Sequence, residues 1–277
     1  MASVETFVNY WSGEEPTTTS PALDAMPPYV DVVPLAFVFV DANWQLTWDF
    51  LCKQNPAPVI QGWIEAVRAQ GTKVLFSILN PQLSQVPDPQ AFAQTVAEAA
   101  VEWGVDGVDL DYEGNEQYPF NPTETLVEVA SELRTALRDA LHREPYLSAP
   151  IFYPWQFYDS VLHDFAAQLD LVTTMDYTGW VGVPTMEQYF GRYAQAIGST
   201  EKLAIGLSCM GPSDSSNFTP LDDVVTMAAW EPEGGRKGGA MLYTFSYDVT
   251  WRPVVPTPSG TGYPDCCWTK TIHENLP

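Results

Sequence analysis

The sequence predicts an α/β protein in which the short strands of a parallel sheet alternate with helices. Apolar runs recur along the chain, each followed by a stretch whose apolar residues fall at spacings of three and four, the pattern of repeated βα units. Asp31–Val40 is almost wholly apolar, as a strand covered on both faces must be. With 277 residues and 45% hydrophobic content, the chain has enough apolar material for one large core.

Val4–Tyr10 reads as the first strand, followed by a polar, proline-containing loop through Pro28, and Asp31–Val40 as the second strand. Pro58–Gln70 is an amphipathic helix with Ile60, Trp63, Ile64 and Val67 on one face, ended by Gly71. Lys73–Leu79 is the third strand and Pro89–Trp103 an alanine-rich helix. Pro122–Arg143 is a long helix, and Tyr146–Phe152 the next strand, leading into the aromatic segment Tyr153-Pro154-Trp155-Gln156-Phe157-Tyr158. Leu169–Asp176 is a strand, Met186–Ile197 a helix, Lys202–Ser208 a strand, Leu221–Trp230 a helix and Gly239–Ser246 the last strand. The tail Val249–Pro277, rich in proline and glycine, is expected to wrap the surface. No linker or low-complexity tract interrupts the pattern, so residues 1–277 are expected to form a single domain.

Between the second helix and the long helix lies Gly104-Val105-Asp106-Gly107-Val108-Asp109-Leu110-Asp111-Tyr112-Glu113. As a strand it puts Asp109, Asp111 and Glu113 on one face and Val108, Leu110 and Tyr112 on the other. Three carboxylates in a row raise one another's pKa if hidden from water, and a chain needing only solubility would scatter them. Such a ladder points to proton chemistry, against a solvated face or a divalent-cation site. Other candidates are weaker. His142, His163 and His273 are scattered with no metal triad among them, the cysteines lack CxxC spacing, and the glycines at 234, 235, 238 and 239 lack a phosphate-loop pattern.

Asp106-Gly107-x-Asp109-x-Asp111-x-Glu113 resembles the DGxDxDxE signature of family 18 glycoside hydrolases, which include chitinases, endo-β-N-acetylglucosaminidases and inactive chitinase-like lectins. The resemblance implies a (β/α)8 TIM barrel with the motif on its fourth strand. Many large chitinases carry an α+β domain between strands seven and eight, but only about thirty residues separate those strands here, so no such insertion is expected, and its absence suggests an open groove suited to endo cleavage. It further implies Glu113 as general acid and base, Asp111 as partner of the substrate acetamide and Asp109 as its tuner, in a retaining, substrate-assisted reaction. Asp111 is expected to raise the pKa of Glu113 by its charge.

On the sixth strand, Met175-Asp176-Tyr177 resembles the family's Met-x-Tyr-Asp, with Asp176 at the Asp position, Met175 at the Tyr position and Tyr177 one place later. Asp176 and Tyr177 therefore join the candidate catalytic set. Tyr10, Phe37, Tyr153, Trp155, Trp180 and Tyr243 fall near strand ends and are the candidate sugar-stacking residues, because ring faces bury the C–H surface of a sugar while its hydroxyls stay wet. Tyr112 and the aromatic segment after strand five favour linear chitin chains; the N-glycan chitobiose core is the alternative substrate, and a non-catalytic lectin the alternative of another class.

The formal net charge of -23 argues against nucleic acid and anionic membrane surfaces as partners, and suits a neutral ligand such as chitin or another N-acetylglucosamine-containing oligosaccharide. No apolar run reaches the roughly 18 residues of a transmembrane helix. A monomer is expected, with no cofactor and no metal. The N-terminus lacks a basic region followed by an apolar one, and the sequence leaves the location open between cytoplasmic and, had a signal peptide been removed, secreted. Cys52, Cys209, Cys266 and Cys267 admit one or two structural disulfides of open connectivity, although adjacent Cys266 and Cys267 cannot bridge each other without strain. Asn217-Phe218-Thr219 is a glycosylation sequon, relevant only in a eukaryotic secretory route.

Overall fold

The computed structural model describes residues 5–13, 21–113, 117, 121–152, 159–177, 182–210, 217–250 and 266–277. Eight parallel strands close on themselves: β1 (Thr6–Asn9, continued by Trp11–Ser12), β2 (Val32–Val40), β3 (Lys73–Leu79), β4 (Gly107–Asp111), β5 (Tyr146–Ile151), β6 (Leu171–Thr174), β7 (Leu203–Ser208) and β8 (Gly239–Tyr243). β8 pairs with β1 and β1 with β2, which shuts the ring. Helices α1 (Ala57–Ala69), α2 (Pro89–Trp103), α3 (Glu124–Leu141), α4 (Asp159–Ala167), α5 (Val183–Ile197) and α6 (Leu221–Ala229) follow strands two to seven. Residues 209–238 alone separate β7 from β8 and hold α6, leaving no room for a further α+β domain.

Two apolar layers result. Val108, Leu110 and Tyr112 face outward into the large core between barrel and helices, with Ile60, Ile64 and Val67 of α1 and Leu126, Val129 and Leu133 of α3. Val8, Tyr10, Val32, Leu75, Ala204 and Met241 fill the lumen. Local capping fixes the ends of α2. Asp88 caps α2 by accepting a hydrogen bond from the Ala91 N–H at 3.0 Å, and Gly104 ends it in the left-handed conformation (φ 72°).

At the opposite pole from the strand ends, Asp106 is a structural clamp. Its carboxylate accepts from Arg68 Nε at 2.9 Å and the Val74 N–H at 3.0 Å, and it pairs with Arg143. Gly107 beside it leaves no alternative, since a Cβ there would stand 1.9 Å from the Tyr146 carbonyl oxygen. The first half of the acidic motif therefore seals the barrel floor.

Several boundaries differ from expectation. The last strand stops at Tyr243, and Phe245–Thr250 turns into a short helix, α7. The tail does not simply wrap the surface. Cys267–Asn275 forms α8, which buries Trp268 and Ile272. Trp268 Nε1 donates to the Thr219 carbonyl at 2.9 Å, and Asp248 accepts from the Thr269 hydroxyl at 2.6 Å. A helix of nine residues with only two apolar anchors gives a weak periodic signal, and α4, equally short, gives one no stronger. No disulfide joins Cys52, Cys209, Cys266 or Cys267 among the described residues, which corrects the disulfide expectation. Cys209 is buried, and its thiol donates to the Thr244 carbonyl at 3.1 Å.

Candidate active site

The carboxylate ladder lies where the strand periodicity puts it. Parallel register sets Ser77, Asp109 and Ser148 side by side on β3, β4 and β5. Both serine hydroxyls donate to Asp109, at 2.8 and 2.6 Å, and the Tyr10 phenol donates to it at 2.8 Å. Asp109 is fully buried, and three neutral hydroxyls are its neutralising company. Burial raises its pKa, and the three donors pull it back down.

Asp111 stands one step nearer the rim, level with Leu79. Burial raises its pKa well above the carboxylate range, the charges of Glu113 and Asp109 add to this, and a hydrogen bond to the Glu113 carboxyl adds further. One Asp111 oxygen, Oδ1, is buried with no hydrogen-bond partner. Glu113 reaches solvent at the mouth, yet the walls around its carboxyl strip enough water from it to raise its pKa. Here the electrostatics differ from the sequence expectation. Asp111 does not push Glu113 up; its hydrogen bond lowers the Glu113 pKa, and the like-charge penalty falls on the more buried Asp111. The two carboxyls titrate as one pair.

A cavity of about 310 Å³ opens over this pair. Tyr10, Phe37, Asp111, Glu113, Tyr177 and Tyr243 all line it. The rings are ordered. Tyr243 stacks on Tyr177 with centroids 6.5 Å apart at 5° and on Phe37 at 6.2 Å and 21°, while Tyr10 meets it edge-on at 5.8 Å. Burial, reinforced by Glu113, Asp111, Asp109 and Asp176, holds the Tyr177 phenol protonated far into the alkaline range. Tyr177 therefore stands in the cavity lining as a protonated phenol. Asp176 is not among the lining residues. It is buried behind them, and burial lifts its pKa to about 7 against a small opposing effect of Thr174.

Tyr153, Trp155 and Trp180 lie outside the described residues. Tyr112, which favoured a chitin chain, faces the helices with its hydroxyl accepting from the Asn121 N–H at 3.1 Å, so it cannot stack on a sugar. Met175, Met210, Met241 and Asn217 also line the cavity. Met175 carried a sequence signal for the site, through its place in Met175-Asp176-Tyr177, whereas Asn217 was marked only as a sequon. Asn217, the sequon residue, is part of the cavity wall, and Thr219 of the same sequon is buried with its hydroxyl accepting from the Ser208 N–H.

A closed (β/α)8 barrel with paired carboxyls and aromatic rings at the carboxyl ends of its strands has the build of a glycoside hydrolase. Residues 7–242 match the family model of the endo-β-N-acetylglucosaminidase EndoS TIM-barrel domain, and the chain belongs to that family, among the family 18 glycoside hydrolases. No curated protein matches the sequence at a significant level. Among solved structures, the fold is similar to a family 18 chitinase from Pseudoalteromonas aurantia, at 20% identity and TM-score 0.73, covering 98% of this chain and 100% of that one. It is also similar to Ostrinia furnacalis Group IV chitinase, at 14% identity and TM-score 0.73 over 98% and 99% of the two chains. The chitinase ChiB of Flavobacterium johnsoniae superimposes with TM-score 0.67 at 15% identity, over 99% of this chain and 94% of that one.

Proposed function

We propose that the protein hydrolyses β-1,4 bonds between N-acetylglucosamine units from within a chain, with retention and with the substrate acetamide as nucleophile. The observation that carries this is the Asp111–Glu113 pair under a phenol, Tyr177, at the mouth of an aromatic-lined cavity. With one proton between them, the pair supplies an acid and an anion at once. Glu113 gives that proton to the glycosidic oxygen as the C–O bond breaks. The acetamide oxygen of the same sugar closes onto the anomeric carbon, and Asp111, left anionic, accepts the acetamide N–H and balances the oxazolinium charge. Tyr177 holds the acetamide oxygen in line. Glu113, now a carboxylate, takes a proton from water, whose oxygen reopens the ring. Asp109, held by the hydroxyl row beneath, acts on Asp111 through its charge, which raises the Asp111 pKa.

The lead substrate is a linear chitin oligomer, the substrate class named for the similarly folded chitinases. The absence of an α+β domain beside the mouth favours internal cutting. A second reading, cleavage of the N-glycan chitobiose core, draws on the family model, which is named for an endo-β-N-acetylglucosaminidase. The separating experiment is product analysis with chitin hexamer and with an N-glycosylated peptide. Internal cleavage of the hexamer supports the first reading, release of a truncated glycan alone supports the second, and turnover of neither removes both.

A further inference from the structure

A second cavity, of about 180 Å³, lies between the turn that follows β2 and the first turns of α2, on the rim where the strands end. Its walls include Trp44, Phe92, Asn43, Gln45 and Thr95. We propose that it is a carbohydrate-binding site outside the catalytic cavity, taking a neutral sugar unit of an N-acetylglucosamine glycan; this rests on the function proposed above.

Trp44 adopts a left-handed backbone (φ 61°), an outlier for a bulky residue. The turn that imposes it is tightly built. The Asp41 carboxylate accepts from the backbone N–H groups of Asn43 at 2.8 Å and Gln45 at 2.9 Å, and the Trp44 N–H donates to the Asp41 carbonyl at 3.0 Å. The indole is held edge to face against buried Phe92, with centroids 6.1 Å apart, and remains partly exposed. Strain held in place by surrounding contacts is a mark of ligand-positioning residues.

The wall chemistry selects the ligand. A fixed indole covers the C–H face of a sugar ring, while the amides of Asn43 and Gln45 and the Thr95 hydroxyl, which already donates to the Ala91 carbonyl at 3.1 Å, meet hydroxyl and acetamido groups. Asp41 and Asp88 flank the site as carboxylates and disfavour an anionic ligand. Position links it to the catalytic cavity. Phe37, in that cavity's wall, and Trp44 are joined by at most about 23 Å of extended chain. Substrate longer than the catalytic cavity can therefore engage both.

The test uses the catalytically silenced full chain, Glu113→Gln, titrated calorimetrically with N-acetylglucosamine dimer, too short to span both cavities, with and without Trp44→Asn. Asn tolerates the left-handed backbone, and thermal unfolding checks the fold. Two binding events are expected in the parent and one in the double variant, with the remaining affinity unchanged. In the otherwise wild-type chain, Trp44→Asn should weaken retention on insoluble chitin at least fivefold and leave hydrolysis of soluble trimer unchanged. Should Trp44→Asn unfold the chain, Asn43→Ala with Gln45→Ala, both exposed, should give the same loss. A single event in the parent, or equal retention of variant and wild type, overturns the second site. Trimer hydrolysis by the wild type reports separately on the catalytic reading.

Discussion

Asp111 and Glu113, two residues apart along the chain, are joined by a hydrogen bond between their carboxyls, and the pKa of both is raised, that of Asp111 well above the carboxylate range. Asp111 lies deeper, and burial weighs most heavily on the charged form. Glu113 is then poised to receive the proton when a substrate amide draws the Asp111 anion toward itself. Glu113→Gln keeps the shape and removes the transferable proton. Turnover of chitin oligomers should fall by about 10²–10⁴, with unchanged thermal unfolding and retained oligomer binding. Steady-state rates and calorimetry on one preparation check this.

Replacing Asp111 by Ala removes both the anion and the hydrogen bond. Turnover should fall by about 10²–10³. Because the hydrogen bond lowers the Glu113 pKa, its loss should move the alkaline limb of the residual rate profile to higher pH. A pH series of kcat/KM decides; a displacement to lower pH would mean that charge repulsion, not the hydrogen bond, dominates the pair.

Tyr10→Phe deletes one of three hydroxyl donors to fully buried Asp109. The loss should cost about 1–2 kcal/mol of stability, read from urea unfolding, while the cavity keeps its shape. Ser148→Ala, which deletes the shortest of the three, should cost a similar amount.

Gly107→Ala should be far worse. Its Cβ would meet the Tyr146 backbone, including the carbonyl carbon at 2.8 Å, and backbone does not yield as a flexible side chain does. A loss of about 4 kcal/mol or more is expected, seen as a collapse in soluble yield and melting temperature.

Asp176 supplies a pH signature of stability. Burial raises its pKa from 3.8 to about 7, so between those values the folded chain holds a proton that the unfolded chain has released. Its contribution is therefore fully present below about pH 4 and is lost as pH rises through 7. Asp176→Asn cannot titrate. Its stability should gain on that of the wild type from pH 4 to pH 8, by at most about 4 kcal/mol in all, read from thermal unfolding of both chains across that range. Parallel stability curves would show that Asp176 is not a desolvated carboxylate.

The ladder was legible because strand periodicity is short and strict: once Gly107–Asp111 is a strand, Asp109 and Asp111 must share a face. β3 and α2 were legible to the residue, one as a continuous apolar run and the other as an alanine-rich helical stretch. Ser77 and Ser148 escaped notice as donors to Asp109, since their role depends on register between strands far apart in sequence. Tyr112 misled for a related reason. Its residue type suits a sugar platform, but its parity on β4 assigns it to the helix side. Trp44 and Asn217 join cavity walls through loop paths that carry no periodicity.

The central claim is that the substrate's own acetamide attacks the anomeric carbon, with Glu113 as acid and Asp111 as counter-charge. The most direct measurement is product release by the wild-type protein from fully acetylated and fully deacetylated oligomers of equal length. The acetylated oligomer should be cut, and the deacetylated one, which lacks the attacking oxygen, should not be cut at all. Comparable rates on both would contradict the account and require a protein carboxylate as nucleophile, with Asp111, which lines the cavity, the first to examine.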